Sequence, residues 1–411
     1  MMSSTRGMRG IRRPAEGRAR PRLYILDGLR LVAALMVVLY HYTVLWGGWG
    51  HDPRTIFPTL HDISQYGWLG VEVFFLISGF VICMSTWGRH LGDFAVSRIS
   101  RLFPAYWAAI ILTTLVVNHW PEVRGDRTLD EVLTNLTMLQ KGLGVRHVDD
   151  VYWTLFIELK FYLLFALVVA GGVTYRKCVL FCALWTVAGV ASVAAAGNKV
   201  PASAFGQLLD MWAMPLYSPY FVAGIAFYLM HRFKPTAALW GIVGVSFLLA
   251  QHSLVLRLPD AVSGDSGPPA WPGRLIIGVA FVLMALIALG AFNWMQWRWL
   301  TTAGALTYPL YLVHENIGFV IIHEFRGRIP ALVLVALTAV AMMLLAYAIH
   351  RVVERPLGKV LAKKLRGAVE ELRLNTPLPG RRPVPPAAVV RPEPQPQPQH
   401  EPKLMPEQER V

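Results

Sequence analysis

Charge is scarce in this chain. Of its 411 residues only 16% are Asp, Glu, Lys or Arg and 55% are hydrophobic, where a soluble domain carries about 25% charged residues. A soluble enzyme of this size is therefore excluded, and a polytopic membrane protein is expected. Cysteine is scarcer still. Cys83, Cys178 and Cys182 are the only three, each in an apolar run, which excludes a disulfide framework and a metal site of their own. Phosphate-cradling GxGxxG and Walker spacings are missing despite 34 glycines, which argues against a nucleotide-driven pump or a kinase. Acidic residues are outnumbered 25 to 39, giving a net charge of +14. The basic residues sit at the ends of apolar spans and in the tails. They form no aromatic-interleaved groove and no zinc-finger or helix-turn-helix spacing, so nucleic acid is not the partner.

What the chain does have is long hydrophobic runs. About 20 apolar residues at 1.5 Å rise cross the hydrocarbon core, and ten segments meet that length: approximately 24–46, 67–87, 102–118, 151–171, 177–196, 211–230, 236–253, 273–293, 303–323 and 331–350. The third is short and follows Pro104, and Pro215 and Pro219 in the sixth predict a kink. The fold class is all-α, a membrane bundle of about ten helices. Lys and Arg are concentrated in the tails and in the short loops "TYRK" and "HRFK", which predicts cytoplasmic N and C termini and a multi-pass protein of the cell membrane. The Arg-rich residues 1–23 precede a run too long to be a cleaved signal, so they form a basic N-tail. Residues 24–356 form the membrane domain and 357–374 an amphipathic basic segment. The proline-rich tail, 375–411, is too poor in apolar residues to form a core.

Several ionisable residues interrupt the apolar runs, and each is a functional candidate. In "LDGLRLVAALMVVLYH", Arg30 and His41 lie eleven residues apart. At about 100° per residue that places both on one helix face, separated by about 16 Å along the axis. Snorkelling to headgroups for Arg30 and plain packing for His41 are the competing structural readings. Glu72, in "GVEVFFLISGF", falls at a depth similar to His41, where a carboxylate could orient the imidazole and raise its basicity. Arg98 and Arg101, in "SRISRLFPAYW", are three apart and suit a phosphate or pyrophosphate, although membrane anchoring also favours arginine there. Glu158 and Lys160, two apart in "YWTLFIELKFYLLF", face different directions and demand polar surroundings. His314 and Glu315 lie in the ninth span, and Glu354 and Arg355 close the tenth.

These blocks, with "YPLYLVHENI" and "VVERPL", resemble the signature blocks of the membrane acyltransferase-3 family, in order from Leu23 to Pro356. The resemblance implies a ten- or eleven-helix integral membrane O-acyltransferase modifying extracytoplasmic glycans, lipopolysaccharide, exopolysaccharide or antibiotics. Residue by residue, it implies His41 as the catalytic residue, with Glu72 beside it where aspartate is common. Arg30, Arg98 and Arg101 would serve the acyl-CoA. Asp27, Ser78, Trp153, Glu158, His314 and Glu354 would be polar residues of the cavity or its frame. Thr154 stands where serine is usual, and Lys160 where a neutral or acidic residue is common. No bound cofactor or metal is expected; acyl-CoA, most simply acetyl-CoA, would be the donor. A glycan or glycolipid would be the acceptor, with a secondary metabolite such as a macrolide as the alternative. Any handover to an esterase-like domain would require a separate envelope-assembly protein. A transporter without acyl chemistry is the rival class. It predicts half-helices in two related halves, and the sequence contains no such repeat.

Overall fold

A computed structural model describes residues 23–196, 203–261 and 268–375. The basic N-tail up to residue 22 and the proline-rich tail from 376 lie outside the described residues. Among those described, ten segments are long and apolar enough to cross a membrane. Their principal helices are α1 (Tyr24–Thr43), α2 (Gly70–Thr86), α3 (Leu91–His119), α4 (Trp153–Ala170), α5 (Tyr175–Ala196), α6 (Ser218–Arg232), α7 (Ala237–Ala261), α8 (Ala270–Ala288), α9 (Trp299–Phe325) and α10 (Ala331–Ile349). A π-helical turn, His350–Glu354, leads from α10 into α11 (Arg355–Asn375). No strand occurs among the described residues beyond an isolated bridge between Arg326 and Ile329. The chain divides at Arg366 into two units, the second represented by the end of α11, where Arg373 and Glu370 lie 3.7 Å apart.

The spans around α2, α6 and α9 are 78%, 83% and 78% buried, against 28% to 33% for those of α5, α7, α8 and α10. The former are therefore the inner helices, and α1 packs on both α2 and α9. Apolar surface gives little drive for helix association in lipid, so close backbone contact has to supply it. Glycines provide that contact. A side chain at Gly79 would strike the Phe221 carbonyl, and one at Gly224 the Leu76 carbonyl, so α2 and α6 cross backbone to backbone. Gly67 and Gly70 lie in the same way against Met36 and Ala33 of α1.

Two boundaries differ from the sequence expectation. The third span begins eleven residues earlier than Pro104 suggested, because α3 carries that proline inside it. The Ser100 carbonyl that Pro104 leaves without its helical donor faces Gly358 of α11 instead of lipid. The sixth span is broken, not kinked. A first helix, Ala204–Ala213, ends at Met214 in the left-handed conformation (φ 46°), and α6 starts at Ser218 with Pro219 in its first turn.

The segment joining α3 to α4 is folded into a cover. It includes the short helices Pro121–Arg124 and Leu129–Asn135, the latter held by a Thr128–Glu131 capping box. Buried Arg127 donates to the carbonyls of Gly125 (2.8 Å) and His147 (3.1 Å). Asn135 donates to Arg146 (2.9 Å) and accepts from the Val148 amide (3.0 Å). This segment delivers Arg124, Asp149 and Asp150 to the site described next.

The glycine crossing yields a stability prediction. Gly224→Leu would force α2 and α6 apart, and overpacking of this kind costs about 1–3 kcal/mol. The variant should unfold at a lower temperature in detergent than Gly244→Leu, whose side chain enters open space. Equal melting temperatures would contradict the close crossing.

Candidate active site

His41 sits near the C-terminal end of α1, buried to 9% exposure. Its Nδ1 lies 2.7 Å from the Val37 carbonyl. A carbonyl can only accept, so Nδ1 carries the hydrogen and Nε2 holds the free lone pair. That Nε2 lies 3.8 Å from Oε2 of Glu315. The His314 ring is also close, its Nε2 3.3 Å from His41 Nδ1, while its own Nδ1 is bonded to the Tyr311 carbonyl at 2.9 Å. An imidazole fixed in this tautomer beside a carboxylate can take up a proton at Nε2.

Glu315 is held by two further groups. Arg124 donates to its Oε1 at 3.1 Å, and the Val151 amide donates to its Oε2 at 3.1 Å. The Arg124 guanidinium also covers the Phe319 ring at 4.6 Å and reaches Asp150 at 3.8 Å. Asp149 lies alongside, fully buried, and accepts from the Asn316 amide at 3.1 Å. Burial first, and the adjoining Glu315 carboxylate second, push Asp149 well above the usual carboxylate range.

His41, Arg124, Asp150, Trp153 and Glu315 line a cavity of about 500 Å³. On the other side of Val71 and Tyr311, which line both spaces, is a narrower cavity of about 90 Å³. Here Arg30, Arg98 and Arg101 converge with Ser78, Glu158 and Tyr162. Glu158 Oε1 accepts from Ser78 (2.8 Å) and from Tyr162 (2.5 Å), and the Arg98 guanidinium lies 6.0 Å from the Tyr162 ring. The Tyr311 ring at the partition is anchored by its hydroxyl, 2.9 Å from Thr154 Oγ1. Thr154 in place of serine keeps the oxygen this bond requires.

The structure thus brings residues from several helices to two spaces that share Val71 and Tyr311 as a wall, and it corrects one sequence expectation. Glu72 is not the partner of His41. Its ion pair is with Arg257 of α7, whose guanidinium lies between the rings of Trp68 (4.7 Å) and Tyr217 (4.8 Å). Glu354 lines neither cavity and bonds His350 at 2.8 Å in the turn after α10. Asp27 also lies outside both cavities, buried against Gly304 of α9. Lys160 points away from Glu158, as its spacing predicts, and donates to the Met211 carbonyl at 2.8 Å.

A family profile described as an acyltransferase domain matches residues 23–351. The chain belongs to the membrane acyltransferase-3 family. It is a multi-pass membrane acyltransferase, and similar proteins carry that activity in their names. It is 26% identical over 372 residues to the acyltransferase MdmB of Streptomyces mycarofaciens, covering 84% of this chain and 93% of that protein. It is 26% identical over 159 residues to the peptidoglycan O-acetyltransferase OatA of Listeria monocytogenes, covering 34% and 23%. It is 26% identical over 176 residues to a putative peptidoglycan O-acetyltransferase, YrhL of Bacillus subtilis, covering 37% and 24%. The chain therefore spans about a quarter of the two latter proteins. No solved structure matches it.

In this acyltransferase the site residues that sequence reasoning missed are Arg124, Asp149, Asp150 and Arg257, together with Glu315 as the partner of His41. Glu315 and the Asp149–Asp150 pair were visible as acidic groups inside or beside apolar spans. Arg124 and Arg257 carried no such signal, one ending a short helix between two spans and the other lying near the end of α7.

Asp149 generates a pH prediction. Its folded pKa is raised, so the stability it contributes is fully present below the pKa of an unfolded aspartate and is lost as pH rises through the folded value. The melting temperature of the wild type should fall over that interval, and Asp149→Asn should flatten the slope. An unchanged slope would show that Asp149 is not held protonated.

Proposed function

We propose that the protein moves an acetyl or other short acyl group from acyl-CoA to a hydroxyl of a carbohydrate-containing acceptor, an envelope polysaccharide or glycolipid, at the plasma membrane. The observation that carries this reading is the meeting of two unlike cavities at Val71 and Tyr311, one with three arginines and one with His41 and Glu315. Arginine suits phosphate because its forked donors match the oxygens. Arg98, Arg101 and Arg30 hold the phosphates of the donor on the side facing the cytoplasm, and the pantetheine arm carries the thioester past Tyr311.

His41 Nε2 then accepts the proton of the acceptor hydroxyl as that oxygen attacks the thioester carbonyl. The tetrahedral adduct collapses, the C–S bond breaks, and the imidazolium returns its proton to the departing thiolate. Glu315 stabilises the imidazolium in between, and Arg124 keeps Glu315 in place. The peptidoglycan O-acetyltransferases among the relatives support an envelope glycan as acceptor. A hydroxylated secondary metabolite is the second reading, because about 500 Å³ on the His41 side is also the size of cavity that encloses a drug-sized molecule.

The test is transfer from labelled acetyl-CoA into envelope material by membranes carrying wild type or His41→Ala at matched expression. Removal of a general base lowers the rate by about 10²–10⁴-fold, so His41→Ala should lose nearly all labelling. Arg98→Ala and Arg101→Ala should raise KM for acetyl-CoA more than they lower kcat. Equal labelling by His41→Ala would remove His41 from the chemistry.

A further inference from the structure

The His41 cavity has a second neighbour. Between α5, α6 and α7 lies a cavity of about 240 Å³ lined by Gly189, Val193, Pro215, Leu249 and Leu256 among others, with Thr186, Ser218, His252 and Ser253 as its polar groups. Leu216 lines both this space and the His41 cavity. Leu216 lies in the break between Ala213 and Ser218, where the helix is interrupted. At the junction the chain changes character within one residue, twice. Leu216 is followed by Tyr217, and Leu256 by Arg257. The leucines line the apolar space, whereas Tyr217 and Arg257 line the His41 cavity. Arg257 is fixed there by Glu72, Trp68 and Tyr217.

A mainly apolar cavity that borders a polar reactive cavity at Leu216 fits an amphiphile. The α5 face beside it is apolar and exposed, with Val187 and Val190 at 65% and 47%, as suits a helix that faces hydrocarbon. The donor side meets the His41 cavity at a different wall, Val71 and Tyr311, which leaves the groove to the acceptor. We infer that the acceptor is lipid-anchored: its hydrocarbon chain occupies the groove between α5, α6 and α7, and its polar head enters the His41 cavity past Arg257. This rests on the O-acyltransfer reading and narrows it from glycans in general to glycolipids. Arg257 is then a specificity residue at the head-to-tail boundary, and Glu72 is a positioning residue for it.

Gly189 allows a direct test, because a Cβ there meets its nearest neighbour, Ser218 Oγ, at an ordinary 3.5 Å. Gly189→Phe fills the groove, and Gly244→Phe adds equal bulk on α7 where the glycine faces open space. Membranes carrying each protein receive labelled acetyl-CoA, and label is counted separately in the chloroform–methanol extract and in the water-soluble fraction. Wild type and Gly244→Phe should label glycan-bearing material in the extract, and Gly189→Phe should do so at least tenfold less. Val190→Trp, also at the groove, should repeat the loss if Gly189→Phe fails to accumulate. Label confined to the water-soluble fraction, or equal labelling of the extract by both groove variants and wild type, would overturn the lipid anchor and leave O-acyltransfer standing. No label in either fraction from wild type would overturn the O-acyltransfer reading and this inference with it.

Discussion

A carboxylate inside an apolar helix bundle must be paired or protonated, and the site follows from how this chain satisfies Glu315. The residue lies in the middle of α9 and is only 2% exposed. Its partners come from the segment between α3 and α4, which supplies the Arg124 guanidinium and the Val151 amide. That segment must fold back over the bundle to bring them, and Arg127, Asn135 and the Thr128–Glu131 box hold it there. His41 meets the same carboxylate from α1. One buried charge thus links α1, α9 and the α3–α4 segment. It also explains why the histidine lines a cavity instead of making a plain packing contact.

The second constraint is close backbone approach. Ser78, Gly79 and Phe80 are consecutive and do three different things. Ser78 bonds Glu158 in the arginine cavity, Gly79 lets α6 cross at van der Waals contact, and Phe80 is fully buried against Tyr228. A short motif can therefore combine a polar contact, a crossing and a core position. Arg98 and Arg101 share one continuous helix with the core residues beyond Pro104, since α3 runs through that proline.

The sequence made much of this legible, and the limits have physical causes. Hydropathy located all ten spans, because length and apolarity are set by the bilayer. The Arg30–His41 spacing predicted one shared helix face, since helical period is local, and in the structure Arg30 and His41 line the two cavities that meet at Val71 and Tyr311. Depth alone, however, could not choose among the acids available to His41. Glu72 and Glu315 are both buried acids, and the choice was made by partners distant in sequence: Arg257, 185 residues from Glu72, and Arg124, 191 residues from Glu315. The break before α6 was hidden for a different reason. Pro215 is equally compatible with a kinked helix, and the left-handed Met214 leaves no mark in composition. Glu354, expected as a polar residue of the cavity or its frame, bonds His350 four residues away, a pairing that the helical spacing alone allows.

The central claim is that Glu315, not Glu72, supports His41 in the transfer step. The most direct measurement compares steady-state transfer from acetyl-CoA by Glu315→Gln and Glu72→Gln across pH, each against wild type. If the account holds, Glu315→Gln lowers kcat and shifts its pH profile, whereas Glu72→Gln keeps both and raises KM for the acceptor. The reverse pattern, with kcat lost in Glu72→Gln and retained in Glu315→Gln, would contradict it.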